Sequence, residues 1–205
     1  MEIPRLIPID PIEPDPEAIG HAADVLASGR PVIVPTETVY GLACRPDIPG
    51  AVERIYEAKG RPETKPLPRM VASIEQVRKY ATEWPDAADR LARAYWPGPL
   101  TLIVQSVDGT LGFRIPDHPA MLALLEACAA PLAVTSANRS GEQEAHNARD
   151  ALDALGDGVP LALDAGPVRI GKPSTVVDVT GPEPRILREG AIPSSDILSM
   201  VPRPE

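Results

Sequence analysis

Apolar positions recur along this chain with two different periods, and their order predicts helices and strands mixed together. Ile19, Ala22, Ala23, Leu26 and Ala27 fall at helical spacing within 17–28, and Gly29 follows in the position of a C-terminal cap. Val32, Ile33 and Val34 form a wholly apolar run between prolines, which predicts a short buried strand over 31–35. Residues 36–42 then leave that strand as a polar turn. A second amphipathic helix is expected over 48–58, with Ala51, Val52, Ile55 and Tyr56 on one face. Ser73 and Gln76 stand at capping-box spacing ahead of a helix ending at Tyr80. A further helix is expected over 86–95, stopped by Trp96, Pro97, Gly98 and Pro99.

The second half continues in the same way. Strands are expected over 100–105, 112–115, 131–134, 161–163, 174–179 and 185–187, and helices over 119–129 and 147–155. A last helix is expected after Pro193, capped by Ser194 or Ser195. Residues 1–16 read as an extended N-terminal arm, and 193–205 as a C-terminal helix and tail. Strands and helices intermix without strict alternation. The expected fold is therefore one α/β domain over 1–205, with a twisted mixed sheet and helices on its faces.

Composition sharpens this picture. Of 205 residues, 43% are hydrophobic, enough to fill a core, but only 3% are aromatic, so Ala, Val, Leu and Ile must build it. The 26 prolines are scattered and act as turn punctuation. A formal net charge of −9 argues against a general nucleic-acid coat, and no DNA partner is expected. Any anion site must be a local basic cluster. Cys44 and Cys128 are far apart in apolar contexts and read as reduced, buried thiols, and no Cys/His spacing suggests a metal. There is no leader pattern at the N-terminus and no run long enough to span a membrane, so a cytoplasmic location is expected.

Several short stretches carry candidate chemistry. Lys59, Arg61 and Lys65 lie in a proline-stiffened loop just after a predicted helix. Residue types alone leave helix capping and phosphate binding as alternatives there. Thr36, Thr38 and Gly41 follow a buried strand, where open α/β sheets place their ligands, although threonines at such a turn also satisfy their own backbone. Thr135, Ser136, Asn138 and Gly141 follow another buried strand and suit a binding turn better than a nucleophile, since no nucleophile elbow surrounds Ser136. Arg114 interrupts an apolar stretch and suits a carboxylate or phosphate partner. His21, His118 and His146 show no partner pattern. Neither a P-loop nor a dinucleotide glycine fingerprint is present.

Seven motifs, taken in order, resemble the YrdC-like family of threonylcarbamoyl-AMP synthases. They are Pro-Thr-Glu-Thr-Val-Tyr-Gly-Leu (35–42), Lys-Gly-Arg-Pro with Lys-Pro-Leu (59–67), Trp-Pro-Gly-Pro-Leu-Thr (96–101), Phe-Arg-Ile-Pro (113–116), Thr-Ser-Ala-Asn-Arg-Ser-Gly (135–141), Pro-Ser-Thr-Val-Val-Asp (173–178) and Ile-Leu-Arg-Glu-Gly (186–190). The resemblance implies a single-domain form with a large basic concave cavity, since the chain ends before the extra C-terminal domain of longer members. It implies that L-threonine, bicarbonate and ATP, with Mg²⁺, give threonylcarbamoyl-AMP and pyrophosphate for tRNA modification. On this resemblance Lys59, Arg61, Lys65, Thr110, Val134, Ser136, Asn138 and Arg188 meet ATP, and Thr38, Arg114 and Ser174 meet threonine. It names no general base and no protein-held metal. tRNA or the threonylcarbamoyl-transferase proteins are implied as partners. The alternative is an RNA-binding module without synthase activity, using Arg54, Lys59, Arg61, Lys65 and Arg69. Two stretches depart from the family pattern: Met70 stands where a histidine is usual, and 142–146 replaces a proline-rich turn.

Overall fold

The computed structural model describes residues 5–107 and 109–201. Its strands are β1 (Arg5–Pro8), β2 (Val32–Val34), β3 (Gly41–Cys44), β4 (Arg69–Met70), β5 (Leu100–Ser106), β6 (Gly109–Arg114), β7 (Leu132–Ser136), β8 (Leu161–Asp164), β9 (Thr175–Asp178) and β10 (Arg185–Arg188). The helices are α1 (Pro16–Ala27), α2 (Ala51–Lys59), α3 (Ile74–Tyr80), α4 (Asp86–Tyr95), α5 (Pro119–Cys128), α6 (Ala148–Leu155) and α7 (Ser194–Met200). All strands join one mixed sheet in the order β1-β8-β2-β3-β7-β4-β6-β5-β9-β10. The pairs β1–β8, β2–β8, β4–β6 and β5–β9 are parallel, and the others are antiparallel.

The pleat sends alternate residues to opposite faces. Val32, Val34, Leu132 and Val134 pack with α1 and α5 on one face. Ile33, Leu42, Cys44 and Ala133 pack with α2 and α6 on the other. Further along that second face, Leu100, Leu102, Val104 and Phe113 pack with α4 and α7. The cluster under α1 and α5 takes no residue from β5, β6, β9 or β10. One half of the first face is therefore left without a helix cover, and a cleft opens there.

Three features depart from the sequence reading. Within the expected N-terminal arm, residues 5–8 form a paired edge strand, with Leu6 beside Ala162 and Ile7 beside Leu163, while the parts of the arm and the tail at 1–4 and 202–205 lie outside the described residues. Residues 36–42 are not a solvated turn. Every residue from Thr36 to Cys44 is buried, and the chain doubles back to pair β3 with β2. The hydroxyls close that turn from inside: Thr36 Oγ1 donates to Val39 O at 2.7 Å and accepts from Thr38 N at 3.2 Å. Gly41 is needed at the return, because a Cβ there would stand 2.7 Å from Val134 Cγ1. Finally, β4 is only two residues long, too short for any periodicity to reveal. Pro68 precedes it and contributes its carbonyl alone, accepting from Val134 N at 3.0 Å.

The helix ends follow ordinary capping chemistry. Asp15, Ser73 and Asn147 cap α1, α3 and α6. Gln76 Oε1 accepts from Ala72 N, not Ser73 N, so the capping box closes one residue early. The expected serine cap of α7 is absent, and Ser194 bonds Glu189 instead. Cys44 and Cys128 are free and buried, and burial pushes their thiols up to about 12 and about 11. No helix among the described residues is long and apolar enough to cross a membrane.

Gly190 locks β10 onto the turn ahead of β9. A Cβ there would lie 2.2 Å from Pro173 O and 2.6 Å from Ser174 C. Both are backbone atoms that no rotamer change can move. Gly190→Ala is expected to cost about 2 kcal/mol or more in urea unfolding, by overpacking. Unchanged stability would contradict this packing.

Candidate active site

The cleft lies where the loop after β2, the end of β7 and the turn into β9 converge, over Met70 and Arg114. It holds about 720 Å³ of open space. Thr38, Arg114, Ser174, Arg61, Val134, Ser136 and Arg188 all line it, as do Met70 and Glu144.

Arg114 ends β6 and is 5% exposed. Three protein groups fix it. Its Nε donates to Gly98 O at 3.2 Å, and its Nη2 donates to Thr38 Oγ1 at 2.9 Å. The same Nη2 lies 2.8 Å from Glu37 Oε1. Among the described residues no partner engages Nη1, which leaves one edge of a rigid fork for a ligand. Glu37 is 1% exposed, and neither of its oxygens accepts a well-aimed hydrogen bond. Its charge is balanced by the ion pair with Arg114, and a carboxylate this buried requires such a partner. Thr36 Oγ1 stands 2.9 Å from Thr38 Oγ1, so the hydroxyl beside Arg114 is itself held in place.

The opposite wall is built by β5, β9 and β10. Ser174 Oγ lies 2.8 Å from Thr101 Oγ1. Arg188 reaches back to Ser174, donating from Nη2 to its carbonyl at 2.7 Å and to its Oγ at 3.2 Å. Burial draws the Arg188 pKa down, Glu144 opposes this, and Arg114 and Arg61 add to it. These four side chains thus share one electrostatic environment with three cations and one acid. Arg61 is held only by long bonds to its own loop, from Nε to Lys65 O at 3.4 Å and from Nη2 to Pro66 O at 3.3 Å.

Four expected residues do not line the cleft. Lys59 is buried, and its ammonium donates to Ser136 O, to Asn138 O at 2.5 Å and to Asn138 Oδ1 at 3.3 Å. Its three donors are occupied by these acceptors, and it fixes the turn after β7. Both amide donors of Asn138 are engaged as well, since its Nδ2 donates to Arg139 O at 3.0 Å and Glu142 O at 2.7 Å. Lys65 is exposed on the loop rim. Thr110 is exposed at the far end of β6 and lines a different cavity. The patch offered for RNA is also dispersed. Arg54 donates to Gly29 O at 3.1 Å, and Arg69 lines that other cavity on the opposite face.

The residue that sequence reasoning passed over is Glu37. An arginine in an apolar strand demands a counter-ion, and an acid between two threonines after a buried strand was the available signal. Thr101 gave none, since a strand threonine is ordinary.

Lys59 generates a sharp expectation. Burial, and then Arg61, press its pKa down to about 8, with Glu144 opposing. At neutral pH it is still an ammonium, and Lys59→Met strips the donors from three buried acceptors. The loss is expected to be about 3 kcal/mol in urea unfolding. The folded value lies below the ordinary 10.5, so burying the charge costs stability below pH 8 and that cost is relieved from 8 towards 10.5. The wild-type advantage over Lys59→Met should therefore widen across that window, and a gap that narrows would contradict the assignment.

Comparison with known proteins places the chain in a family. A family model named Sua5/YciO/YrdC, described as telomere recombination, matches residues 24–190. A Pyrococcus abyssi protein named threonylcarbamoyl-AMP synthase is 38% identical over 190 residues, covering 88% of this chain and 56% of its own. The Bacillus subtilis protein of that name is 36% identical over 91% of this chain and 57% of its own. The chain thus spans little more than half the length of these two relatives, but 92% of a 36% identical Mycobacterium tuberculosis relative. The solved structure of P. abyssi Sua5 with L-threonine superposes with a TM-score of 0.92 at 36% identity, covering 96% of this chain and 61% of that one. Escherichia coli YciO gives 0.84 at 27% identity, covering 92% of this chain and 96% of that one. With most of its length matched in sequence and in fold, the chain belongs to the Sua5/YciO/YrdC family.

Proposed function

We propose that this chain is an L-threonylcarbamoyladenylate synthase acting in tRNA threonylcarbamoyladenosine formation in the cytoplasm. The observation that carries this reading is Arg114, clamped on one edge and unengaged at Nη1, in a cleft shared with Arg61 and Arg188. That arrangement suits an α-carboxylate at Arg114 and an anionic phosphate chain beyond it. P. abyssi Sua5 has been solved with L-threonine, which supports the same substrate here. Thr38 and Ser174 stand on either side as hydroxyl partners for it.

The chemistry balances as follows. The threonine amine adds to bicarbonate and loses water, giving a carbamate. A carbamate oxygen attacks the α-phosphorus of ATP, the bond to the β-phosphate oxygen breaks, and pyrophosphate leaves. Arg61 and Arg188 are assigned to the charge that develops on the phosphates. Arg114 holds the amino acid so that its carbamate meets the phosphorus, and this positioning is the main protein contribution. Mg²⁺ enters as the magnesium complex of ATP. The cleft wall offers Glu144 as its one carboxylate, which suits an ion held mainly by phosphate oxygens. Met70 places a thioether beside the amino-acid side chain.

The test is pyrophosphate release from ATP and Mg²⁺, with threonine and bicarbonate each omitted in turn. Release that needs both is expected, and release indifferent to threonine would overturn the proposal. Arg61→Ala should raise the KM for ATP about 10- to 100-fold, the worth of one charged hydrogen bond, and leave the KM for threonine unchanged.

A further inference from the structure

On the face opposite the cleft, the register places one side chain from each central strand in a single row. Cys44, Ala133, Arg69, Phe113, Leu102 and Val177 are successive cross-strand partners. All but Arg69 are apolar and fully buried. One cation thus stands at the middle of an apolar row, on the central strand β4. To one side lies the apolar cluster under α2 and α6, and to the other the cluster under α4 and α7. Between them is a cavity holding about 890 Å³ of open space.

The partners of Arg69 do not account for its position. Its Nη1 donates to Leu67 O at 3.2 Å, and it forms no ion pair among the described residues. Burial pulls its pKa down. The carboxylate on the cavity wall, Asp47, is already held by Arg45 on both oxygens, at 2.8 Å and 2.6 Å. A half-buried guanidinium without a carboxylate is a favourable place for a ligand anion, which would face a cation already stripped of part of its water. The walls define the rest of such a ligand. Phe113, Tyr80, Leu111 and Pro131 are apolar, and the Tyr80 and Phe113 ring centroids lie 6.0 Å apart. Ser106 and Thr110 add hydroxyls at one end. A single cation suits one negative charge, and its planar fork matches a carboxylate. A polyphosphate would find no second cation on these walls.

We propose that this cavity is a second ligand site, separate from the cleft, which binds a small monocarboxylate with an apolar, aromatic or branched body against Arg69. The carboxylate engages the free edge of the guanidinium, and the body lies against Tyr80, Leu111 and Pro131. Arg69 and Met70 are successive residues of β4 and project to opposite faces, so the site is divided from the cleft by the thickness of the sheet.

The probe is 3-phenylpropionate, titrated calorimetrically into the full chain, with 3-phenylpropionamide as the uncharged control. Saturable binding of the acid is expected, at least tenfold tighter than that of the amide. Arg69→Met keeps the apolar stem and removes the charge, and should weaken the acid at least tenfold while leaving the amide unchanged. Leu111→Trp fills the cavity with Arg69 intact and should weaken both. Because a carboxylate could also enter the cleft, the titration is repeated with saturating L-threonine, and binding should persist. The proposal is overturned if the acid does not bind, if Arg69→Met binds it as the wild type does, or if threonine displaces it. These readouts do not depend on synthase activity.

Discussion

The ion pair between Glu37 and Arg114 is the interaction on which the cleft depends. Both side chains are almost wholly removed from water, and each would be an uncompensated charge without the other. Glu37 arrives from the turn after β2 and Arg114 from the end of β6, four places further along the sheet order. The pair therefore forms only when distant parts of the chain have come together. Once formed, it fixes the fork of Arg114 on one edge and presents the other. Thr36, Thr38 and Gly98 O complete the clamp, so the recognition group is set before any ligand arrives. Such preorganisation lowers the ordering cost of binding.

Around this pair the chain solves a problem of charge. In a protein of net charge −9, Arg61, Arg114 and Arg188 are gathered around one cleft. They differ in freedom. Arg114 is immobilised by the ion pair, Arg188 is tied to Ser174, and Arg61 hangs on long bonds from a loop. That gradient runs from a guanidinium held on three protein groups to one that keeps most of its freedom. Lys59 stands outside this set. It bonds the turn at Ser136 and Asn138, so a cation next to the cleft in sequence braces its wall in space.

Much of this was legible from residue patterns. Long amphipathic helices such as α4 were bounded correctly because apolar periodicity and end signals agreed. The buried strands β2 and β7 declared themselves by unbroken apolar runs. What was hidden depends on long-range pairing. β1 and β4 are too short to show a period, and β3 begins in a segment whose polar residues are buried by satisfying one another. In the cleft, Thr38, Arg114 and Ser174 were recoverable from their motifs, as were Arg61, Val134, Ser136 and Arg188. A sequence lists cations without saying where their hydrogen bonds go, so the bonds from Lys59 to the turn after β7 were hidden and Glu37 drew no notice. Thr110 shares a strand with Arg114 but lies four residues away, about 13 Å along it.

The brevity of β4 has a mechanical consequence. On one side of it stand β1, β8, β2, β3 and β7, and on the other β6, β5, β9 and β10, so the sheet is two panels sharing a two-residue seam. Each panel carries its own apolar packing. The cleft straddles the seam, with Thr38 and Ser136 on one panel and Arg114, Ser174 and Arg188 on the other. Groups from both panels therefore face one another across the same narrow join. The ion pair of Glu37 and Arg114 and the bond from Arg114 to Thr38 stitch the two panels together over that seam, beside the two short ladders of β4.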